Sequence, residues 1–273
     1  MSLDLDQRRR AMLGEMGIRV WGPKVPKPEF PAGGLDDAPP SPPRGGEAAV
    51  PAAPMAVARP ATGSGATAAA SSAPHGDIAS MDWDALQQSV ANCQACGLCN
   101  SRKNTVFGVG DTQARWMVVG EAPGENEDLQ GEPFVGQAGQ LLDNMLKAVG
   151  LNRGATGAQG VFIANVLKCR PPANRNPQPE EMVKCAPYLQ RQVELLQPKI
   201  ILALGRFAAQ ALLQATVPEV ATIPLGKLRG QVHSYQGVPV VVSYHPAYLL
   251  RTPQDKAKSW ADLCLAQEVA QRP

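Results

Sequence analysis

From residue 82 onward, apolar positions follow two alternating patterns. Short unbroken runs make up the first: 116–119 (WMVV), 161–166 (VFIANV), 199–204 (KIILAL) and 238–244 (VPVVVSY). Each is bounded by turn residues and rich in β-branched side chains, so each reads as a strand buried on both faces. Between them lie stretches with apolar residues three and four apart. Residues 139–149 place Leu141, Leu142, Met145, Leu146 and Val149 on one side, the mark of an amphipathic helix. Residues 179–196, 207–213 and 256–269 read as helices in the same way. A further helix opens at Asp82 or Asp84, either of which can cap it.

Buried strands alternating with helices predict an α/β protein, a three-layer α/β/α sandwich with a four-stranded parallel sheet. Open sheets of this kind bind ligands at the C-terminal ends of their strands. Those ends carry Glu121, Asn165 and His245. Three polar side chains at three strand ends can share one crevice. The first strand also runs into a Gly/Pro loop, GEAPGENEDLQGEPFVGQAG from Gly120, which holds several acids and one aromatic, Phe134.

The first 80 residues break the pattern. Residues 31–80 hold 31 Pro, Gly or Ala and no Phe, Tyr or Trp, too little apolar surface to offset the entropy of ordering them. A disordered N-terminal tail is expected there, stiffer where prolines cluster at 39–43. Residues 1–30 differ. Leu3, Leu5, Met12, Leu13, Met16 and Ile18 accompany a basic run at 8–10, a short amphipathic pattern that suits a docking helix for a protein partner. A frayed chain end is the plainer alternative. One folded domain is expected over 81–273.

Charge excludes some functions. The net charge of +2 rules out a polycationic nucleic-acid binder, so any DNA contact needs a local basic patch. No stretch is long and apolar enough to span a membrane. MSLDLDQRRR lacks the apolar core of a secretory signal. A cytoplasmic monomer is expected. In that compartment six cysteines suggest metal ligands or free thiols rather than disulfides. Cys93 and Cys96 form a CxxC, and Cys169 and Cys185 flank a polar loop. Four such thiolates suit either a [4Fe–4S] cluster or zinc, and spacing alone does not choose. Cys264 falls on an apolar helix face and reads as a buried hydrophobe.

Several separate motifs now line up: GEAPGENED at 120–128, GEPFVG at 131–136, NVLKCRPP at 165–172 and HPAYLLR at 245–251, with Cys93, Cys96 and Cys185. In this order they resemble the family 4 uracil-DNA glycosylases, the iron–sulfur branch of their superfamily. The likeness covers about 85–265 and implies an α/β/α fold. It also implies that uracil is flipped out of DNA and its N-glycosidic bond hydrolysed, the first step of base excision repair. By the resemblance Cys93, Cys96, Cys169 and Cys185 hold a structural [4Fe–4S] cluster, and Cys99 is left out. Glu121 handles water, His245 steadies the departing uracil anion, Phe134 stacks on the base and Asn165 reads its edge. Backbone groups from Gly120 onward meet uracil oxygens, and Glu127 excludes the thymine methyl. Leu249 or Leu250 wedges into the duplex and Arg251 meets a phosphate, with Lys168, Arg170 and Arg175 as candidates for the same basic patch. Glu125 and Asp128 are left without a role. The loop PPANRNPQPEEM is short and contains no His, so turnover is expected rather than covalent trapping of uracil. Two rivals remain at this point: a non-catalytic damage sensor, and a zinc-stabilised nucleotide-binding protein.

Overall fold

The computed structural model describes residues 77–272. The expected docking helix at 1–30 and all but the end of the expected linker at 31–80 lie outside the described residues. The sheet has six strands: β1 (Val109–Gly110), β2 (Trp116–Gly120), β3 (Val161–Asn165), β4 (Ile200–Leu204), β5 (Val232–Tyr235) and β6 (Val238–Ser243). Their spatial order is β1-β3-β2-β4-β6-β5. The four central strands are the four apolar runs, and they are parallel. The two edge strands are antiparallel additions and correct the expected count of four. β5 alternates exposed and half-buried residues, so it lacks the continuous apolar run that marks a central strand. It joins β6 through Gln236 and Gly237, both at positive φ, as a tight hairpin turn requires.

The helices are α1 (Trp83–Ala91), α2 (Glu125–Gln130), α3 (Gln137–Ala148), α4 (Pro179–Leu196), α5 (Arg206–Leu213), α6 (Leu225–Leu228), α7 (Pro246–Arg251) and α8 (Lys256–Ala270). Asp82, not Asp84, caps α1 by accepting from the Ala85 N–H at 2.9 Å. The strand pleat sorts side chains into two cores. Trp116, Val118, Ile163, Leu202 and Val241 pack on one face with α3 and α8. Met117, Val119, Phe162, Ala203 and Val242 pack on the other with α4 and α5. Burial on both faces is why each run is apolar throughout.

β2 connects to β3 on one side, while β4 lies against β2 on the other. The connections therefore diverge at the C-terminal ends of β2 and β4, which opens a crevice there. A smaller layer covers the α4 face. Leu86 and Val90 of α1 meet Tyr188 of α4, with Ile78 and Met81 packed alongside.

Candidate active site

An open cleft of about 720 Å³ occupies that crevice. The register sets Gly120 directly beside Asn165, so the two strand ends present one glycine and one amide. A Cβ at Gly120 would collide with Asn165 Oδ1 and sit 2.5 Å from Phe134 Cζ. Only glycine lets the amide and the ring meet here. Asn165 is 2% exposed, and its Oδ1 has no hydrogen-bond partner. A buried amide oxygen without a partner costs about 1–3 kcal/mol, so this atom stands ready for a ligand donor at the cleft.

Phe134 also lines the cleft, at φ 55°. A bulky residue in the left-handed region is strained by about 1–3 kcal/mol, and such strain gathers at functional sites. The turn is clamped from behind, because a Cβ at Gly139 of α3 would overlap the Phe134 carbonyl. The ring is 5% exposed and counts in the α3 core. It is thus both core and cleft floor, whereas its glycine-flanked position argues against core from the sequence.

Glu121 follows β2 and faces the cleft. Burial raises its carboxyl above the usual carboxylate range. Glu127 is engaged differently. Its Oε2 accepts from Gly124 N at 3.1 Å and its Oε1 from Val135 N at 3.0 Å. It staples the two ends of the 124–135 loop, a job that the sequence does not reveal. Asp128 acquires one too: its buried carboxylate accepts from the backbone of Lys103 and Asn104. Glu125 pairs with Arg170 at 3.7 Å on the surface.

His245 caps α7. Its Nδ1 accepts from the Ala247 N–H at 3.2 Å, which leaves the proton on Nε2. Burial, aided by the nearby Arg251 charge and opposed by Glu127, lowers the imidazole to about 4. The ring is therefore neutral near pH 7, with one N–H to give. It stacks on Phe134 with centroids 5.4 Å apart. Asn165, Phe134, Glu121 and His245 thus share one cleft, with Tyr244, Tyr248, Asn174 and Arg206 as further walls. The sequence reading passed over those four although Tyr244 ends the last apolar run and Tyr248 lies within HPAYLLR, because no spacing shows which side chains around a strand end turn toward the crevice.

The expected DNA-facing residues separate. Leu249 is 0% exposed, inside the core, and cannot wedge into DNA. Leu250 is 41% exposed, and Arg251 lines the cleft at the end of α7. Lys168 is no surface cation: it is 1% exposed, and burial lowers its ammonium to about 8. Arg175 is held by both oxygens of Glu181.

A second cavity lies between the end of α1 with the loop after it, the loop after β3, and α4. It is lined by Cys93, Cys96, Cys169 and Cys185, with Arg102 and Lys184. The free space there is small, about 10 Å³, room for roughly one water-sized sphere. Cys99 is outside the lining. Arg102 donates to Cys169 Sγ at 3.1 Å, and the Lys168 N–H donates to Cys185 Sγ at 3.3 Å. Burial pushes the Cys185 thiol up to about 12, so a thiolate there needs a positive charge to sustain it. Among the described residues, no three His, Cys, Asp or Glu side chains converge closely enough for a single metal ion.

A model of the uracil DNA glycosylase superfamily matches residues 107–265. A type-4 uracil-DNA glycosylase from Archaeoglobus fulgidus is 46% identical over 175 residues, 63% of this chain and 84% of that protein. One from Pyrobaculum aerophilum is 42% identical over 191 residues, 68% of this chain and 93% of its own. One from Thermotoga maritima is 38% identical over 174 residues, 63% of this chain and 85% of its own. The matched span 107–265 takes in all six strands and the cleft residues, and reaches Cys169 and Cys185 but not Cys93 or Cys96.

Proposed function

The chain belongs to the uracil DNA glycosylase superfamily, and on that premise we propose that the crevice beside β2 and β4 takes a uracil flipped from DNA and cuts its N-glycosidic bond. The protein is a DNA-repair glycosylase, a hydrolase acting on N-glycosyl bonds. The observation that carries the site assignment is the unpartnered, buried Oδ1 of Asn165 beside a neutral His245. Uracil offers an N3–H donor and an O4 acceptor, which an amide can meet with its oxygen and its NH₂. Cytosine reverses that pattern and leaves the amide unpaired, a strong discrimination.

As the N1–C1′ bond breaks, its electron pair stays with uracil and positive charge grows on the sugar. The His245 Nε2–H donates to O2 of the departing anion. A neutral donor suits this step because it stabilises the charge without giving up its proton. Glu121 faces the sugar cation and accepts the proton of the water that adds to C1′. Phe134 supports the face of the base, and the Gly120 backbone allows its close approach. Glu127 supports the pocket wall by fixing the loop, which is how we read its part in refusing a thymine methyl. Leu250 and Arg251 grip the DNA, as wedge and phosphate contact.

Cys93, Cys96, Cys169 and Cys185 would hold a [4Fe–4S] cluster. The donor set fits: four thiols ring one cavity, with Arg102 and a backbone N–H directed at two of them. Zinc fits less well, since one ion needs all four sulfurs in a single coordination sphere and, among the described residues, no three such side chains converge that closely, whereas in a cluster each thiolate binds its own iron. When bound, the cluster supplies iron–thiolate bonds that cross-link α1, the end of β3 and α4.

Oligonucleotides carrying a single uracil, thymine or cytosine test this reading. Free uracil and an abasic strand are expected from the first alone. Release of thymine or cytosine at a comparable rate would remove the role given to Asn165.

A further inference from the structure

One buried charge is unused by the chemistry above. Lys168 lies between the cysteine cavity and the cleft and lines the cavity. Its Nζ donates to the Asn165 carbonyl at 2.8 Å and to Gln192 Oε1 at 2.7 Å. Its backbone N–H donates to Cys185 Sγ, and its carbonyl accepts from Val106 N at 2.8 Å. Gln192 in turn donates to the Phe107 carbonyl at 2.9 Å. Within three residues of chain, one side therefore touches a cavity thiol and the other holds the backbone of the base-reading amide.

A buried ammonium is costly unless every contact is well made. An aliphatic side chain would fill the same space more cheaply. What the ammonium adds is direction: it fixes the Asn165 peptide, and so the plane in which Oδ1 meets a base. Its own position depends on Cys185 and on α4, both of which move if the cavity loosens.

We propose that Lys168 is a positioning residue that couples the cysteine cavity to the base pocket, so that occupancy of one steadies the other. This rests on the uracil-pocket and cluster readings above. Coupling is reciprocal: if a filled cavity helps Asn165 bind uracil, bound uracil must help the cavity keep its contents. The effect runs through Lys168 Nζ and Gln192, without contact between base and thiolates.

The test uses the full chain with its cluster in place. Visible absorbance is followed while ferricyanide bleaches the cluster, with and without saturating free uracil. Uracil should slow bleaching of the parent roughly fivefold or more, the lower end of ordinary coupling energies. In Lys168→Met and Gln192→Met, brought to saturation by their own uracil titrations, the protection should vanish. Protection persisting in both variants, or absent from the parent, overturns the proposal. Failure of both variants to hold any colour also overturns it, because Lys168 would then serve the cavity's own assembly. Uracil release by the parent is measured alongside. Loss of release defeats the glycosylase reading, whereas release without protection defeats only the coupling.

Discussion

At the residue scale, the site depends on protonation states that burial sets. His245 is lowered to about 4 and Glu121 is raised. The acid limb of kcat/KM should therefore follow Glu121, above the ordinary carboxylate range, with no step near 6.5. Glu121→Gln should flatten that limb at a lower rate. A limb centred near 6.5 that disappears in His245→Gln would contradict the neutral-imidazole assignment. The same shift affects stability. Between about 6.5 and 4 the unfolded chain protonates this His and the folded one does not. Stability is thus whole above 6.5 and is lost as pH falls toward 4, by on the order of 3 kcal/mol. Chemical denaturation of parent and His245→Gln at pH 7 and 4.5 should show a smaller loss for the variant. Gly120→Ala should abolish uracil binding and cost about 1–3 kcal/mol through overpacking, read by titration calorimetry and melting.

Much of this scale is legible in the sequence. The meeting of Glu121, Asn165 and His245 at one cleft is legible because each stands at the end of an apolar run, where open sheets place ligands. Phe134 is legible as a site residue but not as core, since its left-handed turn depends on α3 packing behind it. The staple made by Glu127, and the clamp made by Asp128 on the 103–104 backbone, are not legible at all. Both are side-chain-to-backbone bonds across loops, and no spacing rule encodes them. Lys168 misleads for a related reason: a lysine beside an arginine and prolines looks like surface, and only tertiary burial turns it inward.

At the element scale, α7 illustrates how a motif divides its labour. HPAYLLR sets adjacent leucines about 100° apart around one short helix, Leu249 buried and Leu250 exposed. Leu249→Ala should remove core contacts and cost about 2–5 kcal/mol, with a clear fall in melting temperature. Leu250→Ala should leave melting nearly unchanged and slow uracil release from duplex more than from single strands. If both variants melt alike and lose activity alike, the division fails. The four central strands and five of the longer helices follow from apolar period alone. The short α2, α6 and α7 and the edge strands β1 and β5 do not. They are too brief for a period to show, or, as with β5, half exposed. The β5–β6 hairpin turns on Gln236–Gly237, a weaker signal than Asn-Gly.

At the scale of the whole molecule, the parallel centre of the sheet builds the cleft, and four cysteines line a second cavity. Cysteines from the loop after α1, from the loop after β3 and from α4 line one cavity, although 92 positions separate Cys93 from Cys185. Cys169→Ser and Cys185→Ser should lose visible absorbance and melt at lower temperature. Cys99→Ser and Cys264→Ser should keep both. Loss of colour in Cys99→Ser alone would redraw the ligand set. The sequence narrows the thiols to a ligand group but leaves cluster or zinc open, because spacing does not report how far apart side chains stand in space.

The central claim is that Asn165 and His245, brought together by β3 and β6, read uracil and stabilise it as it leaves. Single-turnover release of free uracil from a uracil-containing oligonucleotide tests this most directly, with parent, Asn165→Ala and His245→Ala side by side and visible absorbance confirming equal cluster content. The parent should release uracil from every site, and each variant should be slower by roughly 10²–10³-fold, as for loss of one transition-state donor. Parent-like rates in both variants, or no release by the cluster-loaded parent, would contradict the account.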